Sequence, residues 1–115
     1  MVQISKERFA LGSYQYLRYP FEYFLDTAVL LGMQNVELCA AGPSFCLDTM
    51  DEAQLIEKAA QIRSRELSVC CITPEQCQYP VNLAAEDEKI REYSIRNFER
   101  AFYAAEILNC PKVLV

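Results

Sequence analysis

Two carboxylates and a small set of aromatic and amide side chains stand where small-molecule chemistry could be done. Glu75 and Gln76 follow directly on an apolar run that closes with Ile72, Thr73 and Pro74, and Tyr79 comes a few residues later. Tyr14 and Tyr16 follow a shorter run near the start, and Glu37 lies inside a third, between Val36 and Leu38. Rings with a polar tip, a carboxamide and a carboxylate are the groups that line ligand pockets. The ring gives an apolar wall and the polar atoms fix orientation. Each of them also has a plainer use, in loop packing or on the solvated surface.

Ligation and phosphate chemistry are poorly served. No histidine is present, so the usual zinc signatures cannot be built. The six cysteines, Cys39, Cys46, Cys70, Cys71, Cys77 and Cys110, contain no Cys-x-x-Cys spacing. In a chain with an ample core they read as reduced, small, buried residues rather than a disulfide framework. Cys70 and Cys71 are vicinal, but neighbouring strand residues point to opposite faces, which argues against a redox pair. With 3 glycines and neither Gly-x-Gly-x-x-Gly nor a P-loop, dinucleotide and nucleotide cradles have no support.

The elements that must position these residues follow from periodicity. Residues 9–14 read as a strand, and Pro20 suits the first turn of a helix. Phe21, Phe24, Leu25, Ala28 and Leu31 recur at helical spacing up to Gly32, a C-terminal cap. Residues 35–40 are a second strand, broken by Gly42 and Pro43. Asp48 or Thr49 is expected to cap the second helix, with Asp51 and Glu52 in its first turn. Leu55, Ile56, Ala59, Ala60 and Arg63 share one face of that helix, which ends near Leu67. Residues 68–73 are a third strand closed by Pro74. A long helix opens at Asp87, with Ile90, Ser94, Phe98, Ala101, Phe102, Ala105 and Leu108 as its buried stripe. It ends at Cys110 and Pro111, and residues 112–115 begin a fourth strand.

Strands and helices alternate without a hairpin signal, which implies parallel strands joined by right-handed crossovers. The fold class is therefore α/β, a parallel (βα)3β unit. Helix-to-strand links are short, whereas strand-to-helix links are long and carry the aromatic and polar groups. That asymmetry is characteristic of (β/α)8 barrels, whose sites lie at the C-terminal ends of the strands. A doubly wound sheet places its ligand at the same ends. If Val36 and Leu38 face the helices, Glu37 points to the opposite side, into the barrel, together with Cys39. There it either orients another site residue or sits in a salt bridge.

The chain has 115 residues, 52% of them hydrophobic and 23% charged, with a net charge of −5. Those values suit one folded domain spanning residues 1–115. No apolar run is long enough for a membrane span. The first residues show no signal or transit peptide, so the cytoplasm is the expected location. The acidic balance argues against nucleic acid as a partner.

Against these residues a resemblance can be set. Ile-Thr-Pro-Glu (residues 72–75), Tyr-Pro-Val-Asn (79–82), Asp-Glu-Lys-Ile-Arg (87–91) and Ser94 resemble the sugar phosphate isomerase/epimerase family of xylose-isomerase-like TIM barrels. So do Leu-Gly-Met-Gln-Asn (31–35) and the following Val36, Glu37 and Leu38. Within the family the likeness is strongest to epimerases of sugar-amine adducts. It implies a barrel of eight strands and roughly 250 residues, of which this chain is the N-terminal half.

The resemblance further implies that a sugar or sugar-amine adduct rests against Tyr14, Glu37, Glu75 and Tyr79. It implies one divalent metal, Mn, Co or a similar ion, held by Glu, Asp, His and Glu of later strands. Two of those carboxylates would move the proton beside the sugar carbonyl. None of those positions occurs here, so no catalytic residue, no metal ligand and no cofactor is assigned to this chain. Taken alone, it is expected to be inactive and to self-associate through its open edges. The alternative function is a non-catalytic half barrel that serves as a binding or self-assembly module.

Overall fold

The computed structural model describes residues 2–76 and 80–115. Three strands, β1 (Ala10–Gly12), β2 (Asn35–Ala40) and β3 (Ser68–Pro74), alternate with three helices, α1 (Phe21–Leu30), α2 (Glu52–Arg63) and α3 (Glu88–Ile107). The sheet order is β1-β2-β3 and both pairings are parallel, as the unbroken alternation requires. A fourth strand is only begun. Val113 forms a single parallel bridge to Ile72, with Ile72 N–H donating to Lys112 O at 3.0 Å and Leu114 N–H donating to Ile72 O at 2.9 Å.

Local chemistry sets the boundaries. Pro20 stands at the N-cap of α1, and Gly32 takes a left-handed φ of +67° just past its end, a conformation that costs glycine least. Asp87 caps α3, its carboxylate accepting from the N–H groups of Lys89 and Ile90. Helix α2 is capped three residues later than Asp48. The Asp51 carboxylate accepts from Gln54 N–H while the Gln54 side-chain oxygen accepts from Asp51 N–H, a complete capping box. Asp48 is instead drawn 52 residues along the chain to Arg100 of α3.

In β2, Val36, Leu38 and Ala40 are buried, whereas Asn35, Glu37 and Cys39 on the other face are half-buried. The buried set joins Phe24, Leu25 and Ala28 of α1, Leu55, Ala59 and Ile62 of α2, and Ala101, Ala104 and Ala105 of α3 in one core. All three helices therefore cover one face of the sheet. Burial of each large apolar side chain contributes about 1.5–3 kcal/mol, so this face holds the fold together. The opposite face carries the polar strand residues.

Further sequence expectations are corrected. Phe102 is 53% exposed and Ile56 50% exposed, and Ala60 and Arg63 of the expected α2 face are exposed as well; the inward faces are completed by Asn97 and Ala104 in α3 and by Ile62 in α2. Cys70 and Cys71 do not follow strict alternation. The register shifts between Val36 and Glu37, so that Val69 pairs with Val36 but Cys71 pairs with Glu37. The bulge puts two half-buried cysteines, instead of one, between buried Val69 and Ile72. Strand β1 is shorter than residues 9–14, because Tyr14–Tyr16 turn into a single 3-10 helix.

No disulfide joins the five described cysteines. Cys77 lies outside the described residues. No described helix is long and apolar enough to cross a membrane.

Candidate functional site

The site is assembled from strand ends upward. Ser13, only 3% exposed, extends the β1–β2 ladder past Gly12. Its N–H donates to Glu37 O at 3.0 Å, and its hydroxyl accepts from Cys39 N–H at 2.9 Å. This anchor fixes the start of the turn that carries Tyr14. On the far side of β2, Thr73 sits opposite Cys39, and beyond Pro74 the chain leaves the sheet at Glu75. Asn97 of α3, 6% exposed, donates its amide to Glu75 O at 3.1 Å. Gln76 donates to Leu114 O at 3.1 Å.

Three sequence-predicted groups, Tyr14, Glu75 and Gln76, thereby meet around one cavity of about 190 Å³. Cys39, Thr73, Pro74 and Leu114 complete its lining. It opens at the C-terminal ends of β2 and β3, where parallel α/β folds place their ligands. Its mixture of an aromatic wall, a carboxylate, a carboxamide and a hydroxyl can hold a small polyhydroxylated molecule by several weak bonds.

Glu37 is placed just beneath. As its alternation with Val36 and Leu38 implied, it lies on the face away from the helices, and its carboxylate accepts from Thr73 Oγ1 at 2.7 Å. Among the described residues no salt bridge involves it. It reaches the cavity through Thr73, which lines the wall. Tyr16 turns away. Its ring packs 5.3 Å from Phe24 and 6.3 Å from Tyr19, a loop-packing role. Tyr79 lies outside the described residues.

Ser13, Thr73 and Asn97 were not singled out from the sequence. Ser13 and Thr73 follow from strand register, once Gly12 is set opposite Glu37 and Cys39 opposite Thr73. Asn97 could have been found as a polar residue on the buried stripe of α3, where a burial without a partner would be costly.

Among the described residues no three His, Cys, Asp or Glu side chains come together as metal ligands. The residues present do not fit the divalent metal that the resemblance implies. Burial pushes the Cys70 thiol up from its ordinary range, and the adjacent Cys71 and Glu37 side chains push it further in the same direction. Burial pushes the Cys110 thiol up as well.

No family model matches the chain, and no curated protein matches it by sequence. Solved structures do. A D-psicose 3-epimerase crystallised in the presence of D-fructose superposes with a TM-score of 0.67 at 18% identity, over 90% of this chain and 35% of that one. A xylose isomerase domain containing protein from Salmonella typhimurium gives 0.67 at 19%, over 96% and 36%. A family 2 AP endonuclease from Brucella melitensis gives 0.65 at 20%, over 93% and 39%. The chain thus spans little more than a third of the length of these proteins. Proteins with different chemistries share the arrangement, and what they have in common is architecture. The chain has the α/β fold of part of a TIM barrel.

Proposed function

We propose that this chain is the N-terminal part of a metal-dependent sugar epimerase or isomerase of the xylose-isomerase-like class, similar to fructoselysine 3-epimerase. It supplies one wall of the sugar site. The observation that carries this reading is the convergence of Tyr14, Glu75 and Gln76 on one cavity at the strand ends, with Thr73 linking that cavity to Glu37. Two of the matched structures bear the names of an epimerase and a xylose isomerase domain protein, which agrees with it. The endonuclease reading, open on fold alone, is disfavoured by a net charge of −5, since phosphate backbones demand basic surface.

In this reading a ketose or sugar-amine adduct lies against Tyr14, with hydroxyls bonded to Glu75 and Gln76. Tyr79 follows Glu75 closely enough in sequence to join them. Thr73 and Glu37 form the floor. The divalent metal, Mn, Co or similar, and the groups that move a proton beside the carbonyl belong to strands beyond the fourth.

Saturation-transfer NMR with D-fructose, D-psicose and fructoselysine tests the wall. Binding is expected in the millimolar range, because an incomplete pocket recovers little of the entropy lost on association. Tyr14→Ala and Glu75→Gln should each weaken it by roughly tenfold, the scale of one lost contact. Sugar binding that neither substitution alters, or none at all, overturns the assignment. Calorimetric titration with Mn²⁺, paired with a proton-exchange assay, tests the division of labour. Micromolar binding with exchange abolished by Glu75→Gln would mean that the chemistry resides in this chain.

A further inference from the structure

Among the described residues three polar side chains are buried, Ser13, Ser94 and Asn97. Burying a hydroxyl or an amide costs free energy that an apolar residue of the same size would avoid, unless the group finds a partner. All three find theirs in the main chain, either at the end of β2 or in the segment after β3. Ser13 holds Cys39 N–H at the start of the turn that carries Tyr14. Ser94 and Asn97 lie one turn apart on the inward face of α3 and reach the segment after β3 at two points. The Asn97 amide donates to Glu75 O at 3.1 Å. The Ser94 hydroxyl donates back to Ile90 O at 2.7 Å, which fixes its rotor and leaves a lone pair for Asn82 N–H, also at 2.7 Å.

Both bonds to the segment grip its main chain, so they hold it whatever side chain stands at 75. The base they rise from is firm, because Ala101, Ala104 and Ala105 seat the same helix face in the core. A site residue whose main chain is tied to a packed helix keeps its side chain within the narrow range of directions that a ligand requires. From these placements we infer that Asn97 and Ser94 are positioning residues for the sugar site. Asn97 aims Glu75 at the cavity, and Ser94 holds the returning end of the same segment at Asn82. Neither lines the 190 Å³ cavity, so both act through the residues they hold. Their effect on sugar affinity rests on the function proposed above, whereas the placement of Glu75 does not.

The test uses the ¹⁵N-labelled chain and D-fructose. Asn97→Leu keeps the size of the side chain and removes the amide. It is expected to move the backbone amide signal of Gln76, which shares a peptide with the Glu75 carbonyl, and to leave those of Ala101 and Ala105 in place. D-Fructose binding should weaken roughly fivefold. Ser94→Ala is expected to move the Asn82 signal and weaken binding roughly twofold, with Ser94→Thr restoring both. The decisive comparison combines Asn97→Leu with Glu75→Gln. If Asn97 acts through Glu75, the double substitution weakens binding by about tenfold, no more than Glu75→Gln alone, whereas independent effects multiply to roughly fiftyfold. Asn97→Ala repeats the series without placing a branched side chain in the core. A multiplied loss, an unchanged affinity in Asn97→Leu, or a Gln76 signal that stays in place would overturn the inference. Absence of D-fructose binding in the unsubstituted chain overturns the sugar reading instead, and the signals of Gln76 and Asn82 then decide the inference by themselves.

Discussion

The Thr73–Glu37 hydrogen bond puts a half-buried carboxylate on the open face of the sheet, and its worth can be measured directly. Thr73→Val keeps the branched shape and removes the donor, so the carboxylate keeps its desolvation and loses its partner. The expected loss of stability is about 1–3 kcal/mol, and Thr73→Ser should restore most of it. Chemical denaturation reads both, and a change below about 0.5 kcal/mol in Thr73→Val would show that water replaces the hydroxyl. The thiols give a second test at this scale. Cys70 and Cys110 have folded-state pKa values above the ordinary range, so the folded chain holds these protons more tightly than the unfolded one. That contribution is fully present below the unfolded value of roughly 8.5 and is lost as pH rises through the folded values. The unfolding midpoint should therefore stay level near neutrality and fall in alkali. The fall should be smaller when both Cys70→Ala and Cys110→Ala are present, a comparison that leaves the raised pKa of Tyr103, bonded to Glu52, common to both proteins. An identical alkaline decline in the two would contradict it.

At the scale of elements, capping separates two aspartates that look interchangeable in sequence. Asp51→Ala removes half of a capping box and should cost about 1 kcal/mol, with α2 fraying first in amide exchange. Asp48→Asn should leave α2 intact and instead loosen the loop after β2 from α3; equal effects on α2 would refute the assignment. Much of the framework was legible beforehand. Residues 35–40 alternate strictly and form β2 with those bounds, Asp87 caps α3, and Gly32 closes α1. What escaped detection depended on partners far along the chain. Asp48 reads as a cap until Arg100, 52 residues away, is seen to hold it. Phe102 and Ile56 match helical periodicity, yet both lie on outer faces. The bulge at Cys70 leaves no local mark, because it arises from the register against β2. The lining of the candidate cavity was legible where strand ends could be counted, which brought Tyr14, Glu75 and Gln76 to one rim. The site was not legible where register had to be known, as for Ser13 and Thr73.

Taken whole, the chain is a slab of 50 × 38 × 24 Å with helices on one face only. The other face exposes the half-buried side chains of Asn35, Glu37, Cys39, Cys71 and Thr73. Among the described residues, β1 pairs with β2 alone, and the outer edge of β3 carries a single bridge at Ile72. Unpaired N–H and C=O groups along two parallel edges are templates for another strand. Self-association is therefore expected, and its charge dependence follows from the sequence. At −5 per chain two copies repel at long range, so added salt should strengthen association by screening that repulsion. The product distinguishes the two functions considered for the chain. If two copies pair edge to edge and close their inner faces on each other, as a self-assembling module would, a discrete dimer forms, and Cys39 and Cys71 become shielded from alkylation relative to Cys46. If the open face belongs instead to the remainder of a longer barrel, copies pair without closure, masses spread upward with concentration, and Cys39 and Cys71 stay as reactive as before. Light scattering coupled to size exclusion, with mass-spectrometric mapping of alkylated cysteines, reads both outcomes. A monomer that persists across a wide concentration range at high salt would show that the strand edges are blocked within the chain itself.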